Sequence, residues 1–168
     1  SRQLFTVDAR GGEALPVSSA RALDLGALTC AAESLGLAQR MVDMTVAYTA
    51  DRQQFGKPVG SFQAVKHHMA DVAVKLEYAR GPVYRAAWAM DAGAANASVY
   101  VSHAKLAATE AAALAAKNSI QCHGAMGYTW EVDLHIYMKR AWALAGAWGD
   151  TGYHKQRIGE ALFEQDLP

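Results

Sequence analysis

Two short stretches of this sequence combine residue types that could hold a ligand. Tyr48-Thr-Ala-Asp-Arg52-Gln-Gln54-Phe55-Gly56-Lys-Pro58 sets a permanent cation, side-chain amides and an aromatic beside a Gly/Pro turn. An arginine fork is planar and always charged, which suits phosphate oxygens. A bare connector needs only Gly56 and Pro58. The second stretch is Gln121-Cys-His-Gly124-Ala125-Met-Gly127-Tyr128, with two glycines three apart directly after a helical pattern. Backbone near glycine can be approached closely by a ligand and offers its N–H groups. Together the two corners suggest contact with a pyrophosphate or a dinucleotide. The alternative is two ordinary helix–helix turns, with Phe55 as a core plug.

Other chemistries find no support. There is no Ser-His-Asp arrangement, no phosphate P-loop and no pair of carboxylates in a Gly-rich setting. The histidines (67, 68, 103, 123, 135 and 154) form neither His-Glu-x-x-His nor Glu-x-x-His, and no metal site is expected. Cys30 and Cys122 lie far apart without a Cys-x-x-Cys, as buried thiols of a reducing cytoplasm would. The formal net charge is +0 and no basic run exists, which argues against nucleic acid or an anionic membrane surface as a main partner. No apolar run reaches the roughly 18 residues of a membrane span. The first residues are polar and strand-like, unlike a signal peptide, and the lack of an initiator Met suggests a processed product or a fragment.

The elements that must position these corners are mostly helices. Residues 1–20 suggest two short strands, Leu4–Asp8 and Ala14–Ser18, around Gly11-Gly12. From an N-cap at Asp24, the spacing of Leu25, Leu28, Ala32, Leu35, Gln39, Val42, Val46 and Thr49 predicts a long helix to about Asp51. A second helix opens at Ser61, with Phe62, Val65, Met69, Val72, Leu76, Val83 and Met90 inward and Pro82 as a kink or break. A third, Ala-rich helix starts at Asn96 or Ser98, runs to about Cys122 and should be central. A fourth spans about Asp133 to Ala147 and a last one about Tyr153 to Phe163. The expected fold is all-α, an up-and-down four-helix bundle over residues 23–168, with a β remnant over 1–22. In such a bundle the ends of helices one and three lie at the same end, so the two corners can converge, or meet across a subunit interface.

Arg52-x-Gln54-Phe55-Gly56-x-Pro58-x-x-x-Phe62-Gln63, followed by Met69-Ala70-Asp71, resembles a signature of the C-terminal helical domain of the acyl-CoA dehydrogenase family. Gln121-x-x-Gly124-x-x-Gly127-Tyr128 is similar to that family's second signature. The resemblance covers roughly residues 23 to 163. It implies FAD between subunits and α,β-dehydrogenation of acyl-CoA thioesters, with a carboxylate taking the α proton and flavin N5 the β hydride. It implies that Arg52 binds the FAD pyrophosphate of a neighbouring subunit and that Gln54 and Phe55 lie along that cofactor. Gln121 and the Gly124–Ala125 backbone would contact its adenosine–pyrophosphate half. Ala125 stands where the family usually has Gly, which narrows the approach. Residues 1–22 then look like the tail of the family's middle β domain. A homo- or hetero-oligomer, dimer or tetramer, and an electron-transfer acceptor are also implied.

The catalytic carboxylate is where this chain departs from the pattern. The family's glutamate sits either after the fourth helix or near the start of the first long helix. Those positions hold Trp148 and Gly26. Asp150 is two residues off and one methylene shorter than Glu. Glu33 is two turns along from Gly26, about 10 Å away at 1.5 Å per residue. Neither is a clear catalytic base, so Asp150 and Glu33 remain weak candidates. The His123-to-Glu131 form resembles actinobacterial-type two-gene α2β2 members that act on bulky CoA esters such as steroid side chains, in which one chain brings the base. The alternatives are a self-sufficient dehydrogenase using Asp150 or Glu33, and a non-catalytic structural bundle.

Overall fold

A computed structural model of the protein describes residue 11 and residues 19–163. The two short strands expected before residue 19 lie outside the described residues. Five α-helices follow: α1 (Ser19–Asp51), α2 (Gln63–Asp91), α3 (Ala97–His123), α4 (Leu134–Ala145) and α5 (Thr151–Phe163). The fold is all-α, as expected. Pairings across the bundle give the directions. The starts of α1 and α3 meet at Asp24 and Ser98, and their ends meet where Tyr48 Oη donates to the His123 carbonyl at 3.4 Å. The start of α2 lies against the end of α3, where Asn118 donates to the His68 carbonyl at 2.9 Å. Arg140 of α4 pairs with Glu33 of α1, and Lys105 of α3 reaches the end of α4. Helices α1 to α4 therefore run up, down, up, down, and α5 closes the end where α1 and α3 begin.

Small residues make the core. Ala104, Ala108, Ala111, Ala112, Ala115 and Ala116 of α3 are buried. On α1 they face Ala27, Ala31, Ala38 and Met41, with Val72, Leu76, Ala79 and Val83 on α2. Alanine brings helix backbones close while keeping the best helix propensity. This corrects the face predicted for α1. Leu25 and Val46 are 56% and 51% exposed, and the buried row includes Ser34 and Thr45. Each of these two hydroxyls donates to the carbonyl four residues back, at 2.7 Å, so it can be buried without an orphan donor. A stripe drawn through the largest apolar residues thus misses a core built from small ones.

Three boundary expectations also change. Helix α1 starts at Ser19, so Asp24 lies inside it rather than capping it, and the expected division at 22/23 falls within the helix. Asp24 is buried; it accepts from Ser98 Oγ of α3 and stands 2.8 Å from Arg157 Nη1 of α5. That last contact is one of charge: neither Asp24 Oδ1 nor Arg157 Nη1 has a hydrogen-bond partner. Ser61 is not the cap of α2. It ends a 3-10 turn (Val59–Ser61) and donates to the Pro58 carbonyl, while Phe62 takes the cap position without a side-chain bond. Pro82 leaves α2 unbroken.

Between α1 and α2 the chain forms a small antiparallel hairpin, β1 (Gln53–Gln54) against β2 (Lys57–Pro58). Its two turn residues, Phe55 (φ 52) and Gly56 (φ 78), both have left-handed backbone. That is the signature of the tight turn whose twist matches paired strands. Glycine adopts it freely; phenylalanine does so at a cost of about 1 kcal/mol or more. No helix among the described residues is long and apolar enough to cross a membrane.

Candidate functional site

At the end of the bundle where α1 and α3 stop and α2 begins, a cleft of about 430 Å³ opens. Tyr48, Arg52 and Gln54 line one side; Gln121, His123, Gly124 and Ala125 line the other. The structure thus brings together five of the six residues singled out as cofactor contacts: Arg52, Gln54, Gln121, Gly124 and Ala125. The sixth, Phe55, does not line the cleft. It is 91% exposed at the hairpin tip, edge-on to Phe62 at 6.1 Å, so it is no core plug.

The cleft is suited to an anion. None of its lining residues is acidic, and no carboxylate among the described residues pairs with Arg52. Ala64 and Val65, in the first turn of α2, also border it. That turn has no side-chain cap, so its first backbone N–H groups have no side-chain acceptor. Gly124 closes α3 with φ +60, a conformation that disfavours any other residue, while space around it stays open. Gly127 instead allows close packing: a Cβ there would stand 3.2 Å from the Ile120 carbonyl oxygen.

The sequence did not single out Tyr48 and His123 for the cleft. Their rings stack with centroids 4.3 Å apart and planes at 17°. His123 Nδ1 faces the Ser119 carbonyl at 2.8 Å and must therefore carry the proton. Burial lowers the pKa of His123 against the opposing pull of that bond, so the ring is neutral at physiological pH. The clue was adjacency: Tyr48 lies one turn before Arg52, and His123 directly precedes Gly124.

At the opposite end of the bundle, the two positions considered for a base meet. Gly26 is buried in α1, and the indole of Trp148 rests on it. A Cβ at position 26 would stand 2.2 Å from Cδ2 of Trp148. Neither residue has a titrating group. The weak candidates have other engagements. Asp150 Oδ1 accepts from the Tyr153 backbone N–H at 2.8 Å, which makes it the N-terminal cap of α5. Both oxygens of Glu33 accept from Arg140, at 2.6 and 2.9 Å. The Glu33 bond raises the pKa of Arg140, and the fork occupies both oxygens of the carboxylate.

The turn carrying Trp148 is anchored from behind. Lys105 is almost fully buried, and its Nζ donates to the carbonyls of Leu144, Ala145 and Gly149 at 2.9, 3.1 and 3.4 Å. Three donors meet three acceptors at the end of α4, which makes an otherwise costly burial tolerable. Desolvation lowers the pKa of Lys105, countered by Cys30 and Asp150. His154 has no exposed surface; its Nε2 lies 3.1 Å from the Trp148 carbonyl and its Nδ1 3.1 Å from Ser102 Oγ. A carbonyl only accepts, so Nε2 carries the proton and Ser102 donates to Nδ1. Among the described residues no cluster could hold a metal ion.

Comparison with known proteins bears on the family and the fold. Residues 16–163 match the family model described as acyl-CoA dehydrogenase, C-terminal domain. The chain is 41% identical over 140 residues to acyl-CoA dehydrogenase IpdE2 of Mycolicibacterium smegmatis, covering 83% of this chain and 43% of that protein. It superposes on butyryl-CoA dehydrogenase from Megasphaera elsdenii with a TM-score of 0.82 at 31% identity, covering 86% of this chain and 38% of that one. The ChsE4-ChsE5 complex from Mycobacterium tuberculosis gives a TM-score of 0.80 at 31% identity, covering 86% and 39%. The chain therefore spans about two fifths of the length of these relatives. With both signature corners folded into one cleft and the domain matched over most of its length, this chain belongs to the acyl-CoA dehydrogenase family, as its C-terminal helical domain.

Proposed function

We propose that this chain is the C-terminal part of an FAD-dependent acyl-CoA dehydrogenase, contributes flavin contacts across a subunit interface, and carries no catalytic base of its own. The observation that carries the reading is the split between the two ends of the bundle. One end gathers Arg52, Gln121 and the Gly124 backbone around a cleft free of acidic side chains. At the other, Gly26 and Trp148 pack against each other where a carboxylate would be needed. Arg52 and the first turn of α2 would hold the pyrophosphate; Gln54, Gln121 and the Gly124–Ala125 backbone would border the adenosine side. Bound flavin supplies hydride acceptance from the acyl Cβ. Phe55, exposed on a strained tip, has Phe62 as its ring partner among the described residues. An exposed aromatic held in left-handed backbone fits a contact beyond this chain, along the cofactor or on another subunit.

The engagements of Asp150 and Glu33 support a base from elsewhere. A relative solved as the ChsE4-ChsE5 complex is in keeping with a hetero-oligomer. The rest of the reading follows the family: an acyl-CoA substrate, an electron-transfer acceptor, a cytoplasmic location, and the residues preceding α1 as the tail of a middle β domain.

The test is co-expression with a paired homologue and measurement of bound flavin and acyl-CoA oxidation. A yellow, active complex is expected, with a colourless, inactive chain when expressed alone. In the complex, Arg52→Ala should lower flavin affinity on the order of tenfold, the scale of one lost charge-assisted contact. Undiminished flavin retention in that variant would overturn the assignment of the cleft.

A further inference from the structure

We infer that His123 is a proton-linked ligand residue: when an anion occupies the cleft, the ring takes a proton from solvent at Nε2 and donates it to an anion oxygen. That the anion is a dinucleotide pyrophosphate rests on the reading above; the receptor geometry does not. His123 is not among the six contacts expected from the sequence. Its Nδ1 is committed to the Ser119 carbonyl at 2.8 Å, so Nε2 carries the lone pair of the neutral ring. Nε2 has no hydrogen-bond partner among the described residues, yet, unlike Nε2 of His135, it is not sealed in the interior. His123 lines the cleft, so that lone pair opens on it. A lone pair facing an anion repels it; an N–H in its place makes a charge-assisted bond.

The surroundings hold this ring near a balance that an anion can tip. Desolvation disfavours the imidazolium, and Arg52 in the same cleft is a like charge. Three features favour it. The Nδ1–H already has its acceptor. His123 is the last residue of α3, where the carbonyl ends of the helix attract a cation. The Tyr48 ring stacks on the imidazole at 4.3 Å and offers its negative face. An anion in the cleft offsets the repulsion from Arg52 and supplies the acceptor that a second N–H needs. The other titratable groups facing the cleft are Tyr48 of α1, His68 of α2 and Cys122 of α3. Tyr48 donates to the His123 carbonyl, and burial raises the pKa of the Cys122 thiol, which keeps it uncharged. His68 is the one group that could take up the proton instead, and the test separates the two histidines.

The test uses the full-length enzyme assembled with its partner, stripped of flavin and titrated with FAD at a series of pH values around neutrality. The pyrophosphate of FAD lacks the monoester proton that is lost near about pH 6, so its own charge stays fixed. In the parent, the Kd for FAD should rise with pH by up to about tenfold per unit, from the free ring's pKa below 6.5 to the higher value of the bound ring. Calorimetry in two buffers of different ionisation enthalpy should show a fraction of a proton taken up per FAD bound. His123→Gln donates without titrating, and His123→Phe keeps the stack on Tyr48 without a ring nitrogen. Both should flatten the slope and abolish the uptake, while His68→Gln should change neither. A flat parent profile, a slope that survives in either His123 variant, or a slope abolished by His68→Gln overturns the inference. If the assembly binds no FAD, the proposed function falls, and sulfate, whose charge is also fixed near neutrality, decides the inference. Sulfate should then bind with proton uptake in the parent and without it in His123→Phe; any other result overturns the proton link.

Discussion

Arg52, Asp150 and Glu33 carry similar promise as charged residues in a sequence, and their surroundings separate them. Arg52 has no carboxylate partner among the described residues and faces a cleft lined without acid. Asp150 is committed to the α5 N-terminus, and Glu33 to Arg140. This separates two roles for Asp150 by experiment. As a cap, its replacement by alanine should cost about 1 kcal/mol, or roughly 2–4 °C in melting temperature for a domain of this size. Asparagine caps as well as aspartate, so Asp150→Asn should preserve stability and leave turnover of the assembled enzyme unchanged. Loss of turnover in a stable Asp150→Asn protein would return Asp150 to the list of bases.

At the scale of elements, the end of α4, the start of α5 and the middle of α3 are joined by buried polar side chains. His154 is the titratable member with a physiological range. Burial lowers its pKa first; the bond to the Trp148 carbonyl opposes this, Lys105 and Arg157 reinforce it, and Asp24 opposes it. The pKa in the folded protein is thus below the 6.5 of a free histidine. As pH falls through 6.5 the unfolded chain takes up the proton first, so stability falls with it until the folded-state value is reached. His123 acts in the same direction. Stability should be full above about pH 6.5 and decline below it, by up to about 1.4 kcal/mol per pH unit for each histidine. Melting temperatures measured across that range should show a shallower decline for His154→Gln than for the parent. Parallel curves would mean that His154 does not contribute.

Over the whole molecule, large apolar side chains remain uncovered. Tyr78, Tyr84, Trp88, Trp130, Trp142, Phe55 and Phe163 are each more than half exposed. Scattered apolar residues are normal on a surface, but so many aromatics on 168 residues are better explained by surfaces meant to be covered. The chain spans about two fifths of the length of these relatives. The isolated chain should therefore self-associate with rising concentration and bind an apolar fluorescent dye, as followed by light scattering and dye emission. A monodisperse monomer without dye binding would show that the exposed aromatics are tolerated singly.

The sequence by itself determined the helices, their order and the all-α architecture, because helical spacing, Ala-rich composition and Gly/Pro breaks are local signals. It also placed Arg52, Gln54, Gln121, Gly124 and Ala125 at helix ends, and the alternation of helices allowed those ends to meet. Tertiary structure decided what depends on contacts between distant residues. The inward face of α1 follows from close Ala-to-Ala packing, which apolar size alone does not reveal. The exposure of Phe55 follows from a hairpin turn too short for periodicity to register. The burial of Asp24 depends on Ser98 and Arg157, both remote in sequence. The contact of Trp148 with Gly26 is the clearest case. Each residue alone is only a non-acidic residue at a position the family resemblance assigns to a carboxylate; only the fold shows that they fill the same space.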